Sequence, residues 1–160
     1  VADTAVNERP DAEMLADIAE QTAAMAKRLG QEPRVAFLSY SNFGNPEGTI
    51  IDNLRGAVRL LDERGVSFEY EGEMSADVAL NPEMAAIYPF SRLSAPANVL
   101  IMPGLHAANI SAKLLKQLGG GRVIGPLLSG MSKPVQIVPM TSGATDLVTM
   151  AVLAASGVVL

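Results

Sequence analysis

Residues 33–42, Pro33-Arg34-Val35-Ala36-Phe37-Leu38-Ser39-Tyr40-Ser41-Asn42, decide the fold class. The apolar run Val35 to Leu38 is entered from a proline and left through small polar residues, and reads as a strand buried on both faces. A helix follows it, with Ile50, Ile51, Leu54, Ala57, Val58 and Leu61 on one stripe and Gly65 as its end. Val66, Phe68 and Tyr70 then alternate with Ser67, Glu69 and Glu71, which predicts a second strand with one wet face. Strand, helix and strand without a hairpin signal make a parallel crossover unit.

The same alternation extends in both directions. Upstream, Pro10 suits a first helical position, with Asp11 and Glu13 where the helix dipole favours negative charge. Met14, Leu15, Ile18, Thr22, Met25 and Leu29 recur at helical spacing up to Gly30. Downstream, Pro82, Pro89 and Pro96 break residues 72–96 into short helical pieces. Val99 to Met102 is another buried strand, followed by a helix carrying Ile110, Leu114, Leu115 and Leu118 that stops at Gly119 to Gly121. Two short strands near Val123-Ile124 and Val135 to Val138 precede a last helix from about Ala144 to Ala155. The expected architecture is a mainly parallel sheet with helices on both faces. Length and the lack of a linker predict one domain over residues 1–160.

Composition narrows the function classes. Twelve basic and 17 acidic side chains give a net charge of −5, with the basic ones scattered, which argues against nucleic acid and anionic membranes as partners. With no cysteine there is neither a disulfide framework nor a thiolate metal site, which fits a cytoplasmic protein. The apolar runs fall short of a membrane span, and the N-terminus lacks a signal-peptide pattern.

In parallel sheets ligands bind beyond the carboxyl ends of the strands, so chemistry is sought in residues 39–48, 103–113 and 139–146. Ser39, Ser41 and Asn42, followed by Gly44, form a polar loop whose backbone amides suit an anion, although turn formation selects the same residue types. His106, the only histidine, has no second ligand nearby, so no metal site is expected. The glycine run follows a helix instead of opening one, as a cap does. No dinucleotide fingerprint, Walker lysine or nucleophile elbow is present in the sequence.

Longer stretches resemble one family. Val99 to Lys113, Val-Leu-Ile-Met-Pro-Gly-Leu-His-Ala-Ala-Asn-Ile-Ser-Ala-Lys, resembles the phosphotransacetylase segment that runs from a buried strand through an Asn turn into a Lys-bearing helix. Val123 to Val135 is similar to that family's Ile-Gly-Pro, Gly and Lys-Pro-Val signature. Arg34 to Ser41 resembles its Arg-Val-Ala-x-Leu-Ser-x-Ser strand, and Gly72 to Ala79 its Gly-Glu-x-x-x-Asp-x-Ala segment. The resemblance covers nearly the whole chain. It implies the C-terminal half of a phosphotransacetylase (phosphate acetyl/butyryl transferase) domain, with a fold like the isocitrate and isopropylmalate dehydrogenases, and Val1 as a truncation point inside a strand. It also implies acetyl transfer between phosphate and coenzyme A, and a dimer.

Departures from the pattern bear on that activity. The family's Ser-Arg pair after Lys-Pro-Val falls on Pro139 and Met140, and a helix arginine falls on Gln117; the aspartate acting as base is kept as Asp146. Guanidiniums stabilise the oxyanion of the tetrahedral intermediate, and losing one such donor costs about 10² to 10³ in rate. A general base alone contributes about 10² to 10⁴, so the chain alone is expected to be inactive and Asp146 vestigial. This altered pattern, together with Ser-Tyr-Ser-Asn-Phe-Gly at Ser39 to Gly44, resembles the tail of large bacterial NADP-dependent malic enzymes. There the oxidative decarboxylation of malate to pyruvate and CO2 belongs to an N-terminal region.

The resemblance therefore implies a non-catalytic regulatory and oligomerisation module, holding no cofactor of its own and taking acetyl-CoA or a related acyl-CoA as effector. Its implied contacts are Ser39, Ser41, Asn42, Asn109, Lys113, Lys133, Pro139 and Met140, with the missing N-terminal malic enzyme region and at least one further copy of the chain as protein partners. Two alternatives stay open: a phosphate acetyltransferase fragment, and a purely structural dimerisation domain.

Overall fold

The computed structural model describes residues 1–44, 46–121 and 123–156. The chain divides into two compact units, with the boundary between Ala112 and Lys113.

The first unit is built on a three-stranded parallel sheet in the order β2-β1-β3, where β1 is Arg34–Leu38, β2 Glu69–Met74 and β3 Val99–Ile101. The run chosen from sequence is the central strand. Val35 and Phe37 point to one face, onto α1 (Ala12–Arg28) and α2 (Thr49–Arg64), where Leu15, Ala19, Leu54 and Leu61 complete the core. Ala36 and Leu38 point to the other face, covered by Met74 and by Val78 and Ala79 of α3 (Ala76–Leu80). Burying a side chain such as Phe37 stabilises by about 1.5–3 kcal/mol. The expected α/β architecture holds here.

Three details differ from the sequence reading. Asp11 is the N-cap of α1, its Oδ1 accepting from Met14 N at 2.9 Å, so Pro10 lies outside the helix. Ala16, Ala19 and Ala23 take the core-facing positions of α1, while Met14 and Leu29 are exposed. Small residues win there because α1 and α2 approach closely: a Cβ on Gly56 would lie 2.7 Å from Ala12 Cβ. The second strand begins only at Glu69, and of its expected wet face Ser67 is exposed and Glu69 half-buried, while Glu71 is buried, as is Glu73 beyond it.

Residues 72–96 hold α3 and the single turn α4 (Pro82–Ala85), as the prolines predict. The excursion is fastened back by Arg92. Its backbone N and Nε donate to Glu71 Oε2 at 3.0 and 3.3 Å, its Nη1 donates to Asp62 at 2.6 Å, and its guanidinium lies 4.5 Å from the centre of the Tyr70 ring. The Tyr70 hydroxyl donates to Asp62, and burial together with that bond pushes its pKa up to about 12. On the other side of the sheet Ala2 bridges Ile101 in parallel fashion. Helix α5 (Leu105–Leu118) then begins and carries the boundary between the units.

The second unit contains one complete helix, α6 (Ala144–Ser156), where the apolar pattern places it. The two short strands expected at Val123-Ile124 and Val135 to Val138 do not form, and both runs are exposed. A strand needs a neighbouring backbone to pair with, and among the described residues none pairs with these runs. The backbone of Leu128 is instead served by a side chain: its N donates to Gln136 Oε1 (2.9 Å) and its carbonyl accepts from Gln136 Nε2 (3.2 Å). Among the described residues no helix is long and apolar enough to cross a membrane.

Candidate functional site

The polar loop leaves the carboxyl end of β1 and is organised by one buried carboxylate. Glu73, only 1 % exposed, accepts on Oε1 from the Ser41 hydroxyl (3.0 Å), from Gly44 N (3.3 Å) and from Arg55 Nη2 (3.0 Å). Its Oε2 accepts from Arg55 Nε at 2.8 Å, and Arg55 Nη2 also donates to the Gly44 carbonyl. Burial opposes ionisation of Glu73, but the bonds from Arg55 and Ser41 outweigh it and hold the carboxyl below its usual range. Of the loop amides thought to suit an anion, that of Gly44 meets a carboxylate supplied by the chain itself.

Other loop residues are similarly engaged. Ser39 Oγ accepts from Ser41 N (3.1 Å), and Phe43 N donates to the Glu73 carbonyl (3.0 Å). Asn42 Oδ1 accepts from both the amide (2.7 Å) and the hydroxyl (2.9 Å) of Ser75. Phe43 sits at φ 49°, a left-handed conformation costly for a bulky residue, and its ring packs against Tyr88 and Phe90 with centroids 5.2 and 5.0 Å away. Asn109, on α5 beyond β3, donates to the Thr4 carbonyl at 3.0 Å. Both loops lie past the carboxyl ends of strands in one sheet, where ligands are expected. His106 is exposed near the start of α5.

The second unit has its own feature. Pro139 and Asp146 line an open cleft of about 290 Å³, together with Lys116, Ile124, Ser142 and Thr149. Asp146 stands in the first turn of α6, its Oδ2 accepting from Gly143 N at 3.4 Å. Among the described residues Lys116 is the cation of that lining, and no guanidinium reaches it. Arg122, between two lining residues in sequence, lies outside the described residues. Lys113, Lys133 and Met140 are exposed and do not line the cleft. Of the sequence candidates, then, Ser39, Ser41 and Asn42 come together in one unit, and Pro139 and Asp146 in the other.

Glu73 and Arg55 escaped the residue-by-residue reading. Arg55 stands on the polar side of an amphipathic stripe, where an arginine ordinarily faces water. The signal for Glu73 was its place in the Gly-Glu-x-x-x-Asp-x-Ala stretch, which also contains Asp77.

A parallel three-stranded sheet flanked by helices, joined in sequence to a segment with a carboxylate-bearing cleft, defines the class as an α/β domain. The chain belongs to the phosphate acetyl/butaryl transferase family, whose model matches residues 1–155. It is 57% identical over 155 residues to an NADP-dependent malic enzyme of Rhizobium meliloti (strain 1021), covering 97% of this chain and 20% of that protein. It is 36% identical to the phosphate acetyltransferase of Clostridium acetobutylicum, covering 93% of this chain and 45% of that one. Among solved structures, a phosphotransacetylase from Streptococcus pyogenes superposes with a TM-score of 0.92 at 36% identity, over 97% of this chain and 47% of that one. The chain therefore spans about a fifth of the malic enzyme and just under half of the acetyltransferases.

Proposed function

We propose that this chain is a regulatory and oligomerisation module of an NADP-dependent malic enzyme, binding acetyl-CoA or a related acyl-CoA without transferring its acetyl group. The observation that carries the reading is the 57% identity to an NADP-dependent malic enzyme over 97% of this chain. The positions where the family resemblance expects a hydroxyl and a guanidinium carry Pro139 and Met140, and such donors speed acyl transfer by stabilising the tetrahedral oxyanion. Identity to the phosphate acetyltransferases is lower than that, at 35 to 41%. Arg55, a guanidinium near the β1 loop, is committed to Glu73 and Gly44.

A module of this kind acts by differential affinity. An acyl-CoA that favours one state of the parent by about 1 to 3 kcal/mol shifts affinity elsewhere by about five- to 150-fold. Isothermal titration of acetyl-CoA into the parent malic enzyme tests this, with saturable heat expected and a flat trace removing the effector. Arsenolysis of acetyl phosphate by the same preparation separates this reading from an active acetyltransferase. The retained Asp146 in the cleft favours that second reading, and turnover would establish it.

A further inference from the structure

Two of the loop residues expected to meet a ligand have polar atoms turned inward. Ser41 is only 6% exposed and donates its hydroxyl to Glu73, while the Asn42 side-chain oxygen is taken by the amide and hydroxyl of Ser75. Tyr40 beside them is 79% exposed, and Ser39 is half-buried. Arg55 grips Glu73 as a fork, with Nε on Oε2 at 2.8 Å and Nη2 on Oε1 at 3.0 Å, and Nη2 also donates to the Gly44 carbonyl. Glu73 Oε1 accepts in turn from Gly44 N. Residues 41 and 44 are therefore fastened to one ion pair, with Phe43 between them at φ 49°. A bulky residue persists in that conformation only while its surroundings dictate it, so the loop keeps this shape as long as both ends are tied.

Stability alone does not account for such a pair. Desolvation of a carboxylate as deeply buried as Glu73 offsets the attraction, and the net gain over apolar side chains of the same volume is small. Apolar side chains would, however, supply none of the directed bonds that reach the Ser41 hydroxyl and both backbone groups of Gly44. We infer that Glu73 and Arg55 are positioning residues for acyl-CoA, an assignment that rests on the acyl-CoA reading above. They touch no ligand themselves and hold residues 39–44 in the shape that presents Ser39 and Tyr40. Ser41 and Asn42 then serve as struts of the loop and not as contacts.

The test uses the parent malic enzyme with Arg55→Gln and Glu73→Gln made together, which removes both charges and leaves neither one unpaired. Hydrogen exchange read peptide by peptide should show residues 39–44 exchanging about 10-fold or more faster than in the unsubstituted enzyme, with the Phe37 strand unchanged. A loop that spends a tenth of its time in the binding shape binds about 10-fold more weakly, and titration with acetyl-CoA should show a loss of at least that size. Arg55→Lys, made alone, keeps the charge and loses the fork, and it should weaken acetyl-CoA in the same way. Full affinity with the lysine would assign the pair to charge balance and overturn the proposal. So would slow exchange at residues 39–44 in the double variant, or loss of protection at Phe37, which would make the pair a support of the whole sheet. Unchanged affinity in the double variant of an enzyme that does bind acetyl-CoA would sink the positioning role alone, whereas a flat trace from the unsubstituted enzyme would sink the acyl-CoA reading and this role with it.

Discussion

The two carboxylates singled out in the site, Glu73 and Asp146, sit in opposite circumstances. Glu73 is buried and surrounded by four donors from Ser41, Gly44 and Arg55, whereas Asp146 is exposed in the first turn of α6 at the edge of an open cleft. Around Glu73 the first unit has a three-stranded sheet with both faces covered; in the second unit the runs at residues 123–124 and 135–138 pair with no strand among the described residues. The contrast teaches where positive charge goes. A guanidinium placed against a buried carboxylate fixes a loop, whereas the described lining of the Asp146 cleft carries Lys116 as its cation.

Matched truncations sharpen the contrast most. Phe37→Ala should cost about 3–5 kcal/mol in urea unfolding of the first unit, because Phe37 is fully enclosed. Leu147→Ala, on the exposed side of α6, should change the stability of the 160-residue chain by no more than about 0.5 kcal/mol. A large loss at Leu147 would mean that the second unit is packed after all.

Next in size is Gly56→Val, expected to lower stability by about 1–3 kcal/mol as the new side chain is driven into Ala12. Circular dichroism during thermal melting reads this, and an unchanged midpoint would show that α1 can retreat from α2.

Acid reaches the fold through Glu73. The Glu73 pKa is lowered on folding, so its contribution is full above the unfolded carboxyl value and is lost as pH falls through the lower, folded one. Glu73→Gln should therefore flatten part of the decline in urea midpoint between neutral and acid pH. Lowered carboxyls at Asp62 and Glu69 preserve the remainder. A decline identical to that of the unsubstituted chain would refute the role given to Glu73.

Much of the first unit was legible in the sequence because its signals are local. The apolar run at residues 35–38, the stripe of α2 and the glycine stop at Gly65, which sits at φ 61°, each specify an element without help from distant residues. The buried face of α1 was misjudged because alanines, weak as hydrophobic signals, won the close contact with α2. The burial of Glu71 and Glu73 was illegible for a different reason. Their arginine partners lie 21 and 18 residues away, and a period-two pattern cannot announce a long-range ion pair. The runs at residues 123–124 and 135–138 carry strand patterning that the chain by itself does not use, since pairing depends on a neighbour as well as on propensity. For the site, residues 39–44 and 103–109 do follow β1 and β3, whereas residues 139–146 follow no strand among the described residues, and pattern gave no view of which polar groups were already engaged.

The smallest expected effect is on catalysis, and it bears most directly on the central claim that the Asp146 cleft no longer supports acetyl transfer. The measurement is coenzyme A-dependent arsenolysis of acetyl phosphate by the parent malic enzyme, run alongside an Arg122→Gln variant. The account predicts no turnover above the uncatalysed rate in either protein. Clear turnover that Arg122→Gln abolishes would place a working guanidinium beside the carboxylate and contradict it.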